Sequence, residues 1–174
     1  MKRRYVIEAV MVAIYGELMV PNQPVEYYLP YSTILELYDM LKGSEPVMPE
    51  PSDDSHVKQK IKELIEFFEE PLNRKKIERA FPAPWRVSSP LLVNEHVSFV
   101  VVNSMENAQY GETFDPIETE LLLTSMREQL PIITDQVDFL ERVIECEVPV
   151  QLFDIEDFDY ALDAEDVLRD WNSP

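Results

Sequence analysis

The sequence predicts an α/β fold in which parallel strands are joined through helices. Three observations lead there. Residues 131–155 read as strand, turn, helix, strand: an apolar run, an acidic turn, helically spaced apolar positions, then Pro149 and a second extended run. Two strands joined through a helix make a parallel crossover, right-handed in nearly all known cases. The chain also opens on a strand-to-helix transition around Glu8, and Asp115-Pro116-Ile117-Glu118 carries a helix start of N-cap, proline at N1 and acid at N3. In an open parallel sheet, ligands bind at the carboxyl ends of the strands. Acids placed at strand ends are therefore the first candidates for function.

Taken in order, residues 5–7 form a buried strand, and the apolar run from Ala9 turns helical and ends near Gly16. Pro21, Asn22 and Pro24 mark a loop before an extended 25–29. Pro30 opens a helix to Leu41, with Ile34, Leu37, Tyr38 and Leu41 inward and Gly43 as its stop. Residues 43–56, with three prolines and four acids, read as a mobile surface linker. Residues 55–70 carry the clearest amphipathic stripe, Val57, Ile61, Leu64, Ile65 and Phe68. Pro71 then starts a short basic helix through Phe81. Residues 97–103 are β-branched and pair as a hairpin with 85–93, and 104–114 are loop. The Asp115 cap begins a helix to Arg127. In the crossover, Asp135 stands at the N-cap with Asp138 three residues on. Val137, Leu140, Val143 and Ile144, widened by Phe139, form that helix's inward stripe. Residues 150–155 run extended, and 163–171 form a last short helix with Val167, Leu168 and Trp171 on one face.

The 174 residues suit one domain with a substantial core, and 45% hydrophobic content is globular. The formal charge is −19, and residues 147–174 alone hold nine acids against Arg169. Such a chain repels polyanions and lipid headgroups and suits a basic partner or bound cations. A single cysteine, Cys146, allows no internal disulfide and points to the cytoplasm. Lys2-Arg3-Arg4 before an apolar run imitates a signal peptide, but Glu8 interrupts the run and it is too short to span a bilayer, so no membrane is expected. Eight of the fifteen bases lie between residues 58 and 86, among them Lys58, Lys60, Lys62, Arg74, Lys75, Lys76 and Arg79. They read as a solvated helical surface or as a weak nucleic-acid contact face.

Nucleophilic and histidine-metal chemistry find no support: Cys146 has no nearby histidine, and His56 and His96 lack ligand spacing. With only three glycines there is no phosphate-cradling loop, and no organic cofactor is expected. The acids remain. Glu8, inside an apolar run, is paired, protonated, coordinated or at a strand end facing a cleft, or else the strand is amphipathic and Glu8 faces water.

The order of these acids resembles the PIN-domain family. Tyr5-Val-Ile-Glu8-Ala-Val-Met-Val resembles its first strand, which ends in an acid before a helix. Leu29-Pro-Tyr-Ser-Thr-Ile-Leu-Glu36-Leu resembles its proline-started acidic helix, Asp115-Pro-Ile-Glu118 its third acid motif, and Ile132-Ile-Thr-Asp135-Gln-Val-Asp138-Phe-Leu its fourth. Val148-Pro-Val-Gln-Leu resembles the closing strand. The resemblance implies a three-layer α/β/α domain over residues 1–155, with a mainly parallel sheet. The linker 43–56 and an inserted helical and hairpin segment, 57–104, interrupt it, and an acidic tail with a short helix, 156–174, follows. It implies hydrolysis of single-stranded RNA with Mg²⁺ or Mn²⁺ held by Glu8, Glu36, Asp115 or Glu118, and Asp135, with Asp138 as alternate. The family's frequent pairing through helices makes a homodimer an expectation. The family usually has Asp, a small hydroxyl residue and Asn where this chain has Glu8, Ala9 and Val10. Together with a net charge that opposes RNA, this supports the alternative of a catalytically degenerate PIN-like interaction or regulatory module, with the acidic tail as its partner surface.

Overall fold

The computed structural model describes residues 2–104 and 112–172, with side chains up to residue 164. Six strands form one sheet in the order β3-β4-β2-β1-β5-β6: β1 (Arg3–Ile7), β2 (Val25–Pro30), β3 (Leu91–Leu92), β4 (Val97–Val102), β5 (Ile132–Ile133) and β6 (Leu152–Phe153). All neighbours are parallel except the edge pair of β3 with β4. The helices are α1 (Ala9–Ile14), α2 (Tyr31–Lys42), α3 (Pro51–Glu69), α4 (Pro71–Glu78), α5 (Pro116–Glu128), α6 (Val137–Glu145) and α7 (Ile155–Asn172).

Strand alternation divides the core in two. Tyr5, Ile7, Tyr27, Leu29, Phe99 and Val101 face α1, α2, α3, α4 and α7. Val6, Tyr28, Val100, Val102 and Ile132 face α5 and α6. With both faces covered, the sheet is the middle of three layers, and its central strands read as unbroken apolar runs. An aromatic row crosses the first face: Tyr5 and Tyr27 meet Phe158 of α7, and Phe99 meets Phe67 and Phe68 of α3. No helix among the described residues is long and apolar enough to cross a membrane.

Several expectations are corrected. The linker is shorter than 43–56, because α3 starts at Pro51 rather than residue 55. The Asp54 carboxylate accepts from the backbone N–H groups of Val47 and Met48 and folds the preceding loop onto the helix. Residues 57–104 supply part of the sheet itself. β4 pairs in parallel with all six residues of β2, and α3 packs against α1 and α2. The hairpin of 85–93 with 97–103 does form, as β3 and β4 plus a bridge of Val87 with Val102.

On α6 the buried side is Phe139 and Val143, while Val137, Leu140 and Ile144 lie exposed. That helix is capped by Gln136, not Asp135. After β6 the chain does not trail off. Asp154 and Asp157 accept reciprocally from each other's backbone N–H, a cap that starts α7 at once. Its Phe158 and Leu162 are buried, so this stretch packs onto the core through those two side chains rather than trailing as a tail. The facing of Val167, Leu168 and Trp171 lies outside the described residues, as does most of the expected loop 104–114.

Candidate functional site

The strand order places a switch point between β1 and β5: from β1 the chain moves outward through β2 and β4, then returns to lay β5 and β6 on the other side. A crevice opens at the carboxyl ends of two such strands. β1 ends there in Glu8, and β5 leads there into Thr134, Asp135 and Gln136. Proline and hydroxyl chemistry set the neighbouring end. Pro30 caps α2, Thr33 Oγ1 donates to the Pro30 carbonyl, and the same hydroxyl accepts from the Ala9 N–H. Thr33 thereby ties the start of α1 to the start of α2. One turn further along α2 comes Glu36.

Glu8 is buried, and its pKa is pushed up to about 7, first by burial and then by the charges of Glu36, Asp135, Asp115 and Glu118. Its Oε1 accepts from the Gln136 side-chain amide at 3.2 Å. Glu36 is half-buried and raised for the same reasons, with Asp115 its strongest like charge. Acids from three other stretches of sequence thus bear on one carboxyl. Asp138 is not among them; it acts on Arg142 instead.

The remaining acids are held by their own partners. Asp135 accepts from the Tyr15 hydroxyl at 2.8 Å, and that hydroxyl is pushed up to about 12 by burial, this hydrogen bond and the Asp135 charge. Asp115 caps α5 through the Glu118 N–H, and Glu118 closes a capping box onto the Asp115 N–H. Glu118 also takes both arms of the Arg142 guanidinium, at 2.6 and 2.5 Å. Burial works against its charge, but these bonds hold its pKa below the usual carboxylate value. A further acid, Glu120, is buried on α5 and accepts from the Ser32 hydroxyl of α2. Sequence reasoning missed Thr33, Tyr15, Gln136 and Glu120. Of these only Gln136, next to Asp135 at the strand end, carries a local signal.

The bases of residues 58–79 sit on other elements, α3 and α4 and the α4 C-cap. Lys58 pairs with Asp54 and Lys60 with Glu63 on α3, and Lys76 of α4 donates to the Pro90 carbonyl ahead of β3. Lys62, Arg74 and Lys75 share these two helices, and Arg79 is the C-cap of α4.

As to a metal, Glu8, Glu36, Asp115 and Asp135 are the hard oxygen donors that Mg²⁺ or Mn²⁺ takes. A carboxyl buried among like charges is stabilised by added positive charge. In chemistry the residues fit. As they stand, however, no three Asp, Glu, His or Cys side chains among the described residues gather closely enough to hold an ion. Tyr15, Gln136, Arg142 and the α5 cap each hold one acid in place. No protein-family model matches this chain, and no curated protein sequence matches it.

Proposed function

We propose that the protein is a divalent-metal-dependent ribonuclease of PIN type that acts on single-stranded RNA. One observation carries the reading: Glu36, Asp115 and Asp135, from three separate motifs, all bear on Glu8 at the switch point of a parallel sheet. Glu8, Glu36, Asp115 and Asp135 would hold Mg²⁺ or Mn²⁺, which supplies charge neutralisation at the phosphodiester and a water of lowered pKa. The chain's own groups position these acids. The Gln136 amide orients Glu8, the Tyr15 hydroxyl orients Asp135, and Thr33 fixes the helix that bears Glu36. Glu118 acts through Arg142, holding the α5 start against α6.

The test is cleavage of an unstructured RNA by the full chain with Mn²⁺ or Mg²⁺, alongside Asp135→Asn and a chelated control. Cleavage should require the metal and be lost in the variant, and the same ions should raise the melting temperature by mass action. Absence of both effects overturns the reading. A second reading has its own support: Ala9 and Val10 bring no polar side chain beside Glu8, and Asp135, Asp115 and Glu118 already have protein partners. In that case the protein is a catalytically silent PIN-like interaction module. Metal-independent stability together with inert RNA favours it.

A further inference from the structure

We propose that this chain associates head to tail, with the basic face of α4 of one copy seated in an acidic, apolar groove beside α6 of the next. The inference does not depend on the nuclease reading. The groove is a cavity of about 390 Å³ between the starts of α6 and α7 and the end of β6. Val137 and Leu140 line it, and Asp135, Asp154, Glu156 and Asp157 supply its charge; no lysine or arginine lines it. Val137 and Ile144 are 64% and 65% exposed, and with Leu140 they continue the apolar surface along α6 at helical spacing. A side chain that fills such a site must be apolar at its centre and cationic at its rim.

The chain carries that complement on its own surface. Residues 74–79 hold Arg74, Lys75, Lys76 and Arg79 in a protein of net charge −19. Arg74, Lys75 and Arg79, like Lys62 and Arg86, make no ion pair among the described residues, while Lys2, Arg4, Lys58, Lys60 and Arg142 each meet a carboxylate. Leu72, 64% exposed, precedes Lys75 and Arg79 by three and seven residues, which puts an apolar anchor and two cations on one side of the helix. Val137, Leu140 and Ile144 repeat the same spacing on α6.

Charge complementarity within one chain favours a second copy as the occupant: the groove is acidic around an apolar centre, and α4 presents bases around an exposed leucine. At physiological salt the screening length is about 8 Å, so the contacting patches, rather than the net charge, decide the energy.

Topology sets the form of the assembly. The groove lies at the β6 edge of the sheet, while α4 lies by the β3 edge, where Lys76 reaches the Pro90 carbonyl. Two patches on opposite edges cannot be exchanged across one two-fold axis. The contact is therefore heterologous and builds a ring or an open chain of copies.

The experiment is sedimentation and light scattering of the full-length protein from micromolar to millimolar concentration at physiological salt. Two exposed-surface variants accompany it: Lys75→Glu on α4 with Arg79→Glu at its C-cap, and Val137→Lys with Glu156→Lys in the groove. The wild type should grow beyond the 20.3 kDa monomer with concentration. Each variant alone should stay monomeric. Mixed, they should form a species of twice the monomer mass and nothing larger, since each brings one intact patch. A wild type that stays monomeric overturns the proposal. So does assembly unaffected by either variant, or a mixture that remains monomeric.

Discussion

Glu8→Gln is the sharpest probe of the acid cluster. The substitution keeps the shape of the side chain and a hydrogen-bonding group for Gln136, and it removes only the ionisable proton. In the folded wild type the Glu8 carboxyl binds its proton more tightly than in the unfolded chain, at about 7 against 4.5. Its contribution to stability is therefore fully present below 4.5 and is lost as the pH rises through 7. At 1.36 kcal/mol per pH unit, the loss across that window is about 3 kcal/mol. For a chain of this length that corresponds to roughly 6–12 °C in melting temperature. The assay is thermal or urea unfolding of both proteins from pH 4.5 to 8.5 in chelator. Titrating groups away from the cluster are common to both and cancel in the difference, so the pH dependence that remains belongs to Glu8 and the acids coupled to it. Glu8→Gln should match the wild type at the acid end and exceed it increasingly toward pH 8. A difference that stays flat with pH would show that the carboxylates do not converge on Glu8, and the proposed site would lose its basis.

Three further outcomes follow from the packing. Phe158→Ala should cost about 3–5 kcal/mol in urea unfolding, because its ring is buried against Tyr5 and Tyr27; a loss under 1 kcal/mol would return this segment to the status of a tail. Arg142→Met should destabilise by about 2 kcal/mol near neutral pH, by stranding the buried Glu118 carboxylate. Glu118 is held below its ordinary value, so its contribution is present at neutral pH and fades in acid; the two proteins should converge as the pH falls, and parallel profiles would contradict the pairing. Asp115→Ala should cost about 1 kcal/mol through the lost α5 cap, while Asp115→Asn should keep most of the cap and still remove a charge that acts on Glu8 and Glu36. Equal destabilisation by both, measured by calorimetry, would contradict the assignment of the cap to a side-chain oxygen that Asn can supply.

Much of this architecture is local and could be read directly. The α5 start is a closed code: Asp115, Pro116 and Glu118 satisfy one another within four residues, whatever lies around them. β4 is legible because Val97–Val102 is β-branched and apolar on both sides, the mark of a strand covered on both faces. Its position was not legible, because nothing in those residues says that they pair with β2. On α6 the periodicity was real but ambiguous. The nine residues carry two apolar rows, and only the location of the sheet decides that Phe139 and Val143 go inward while Val137, Leu140 and Ile144 face out.

The candidate site divides in the same way. The sequence by itself determined which acids stand at element starts and strand ends, because capping, proline placement and apolar runs act over three or four residues. Only the tertiary structure decided how those acids are held. Tyr15 meets Asp135 across 120 positions, Gln136 meets Glu8 across 128, and Arg142 takes Glu118 from a neighbouring helix. The raised pKa of Glu8 arises from burial and from charges brought in by separate elements. Burial and charge separation are properties of the packed chain, set by which strands lie side by side, and no short stretch of residues encodes them.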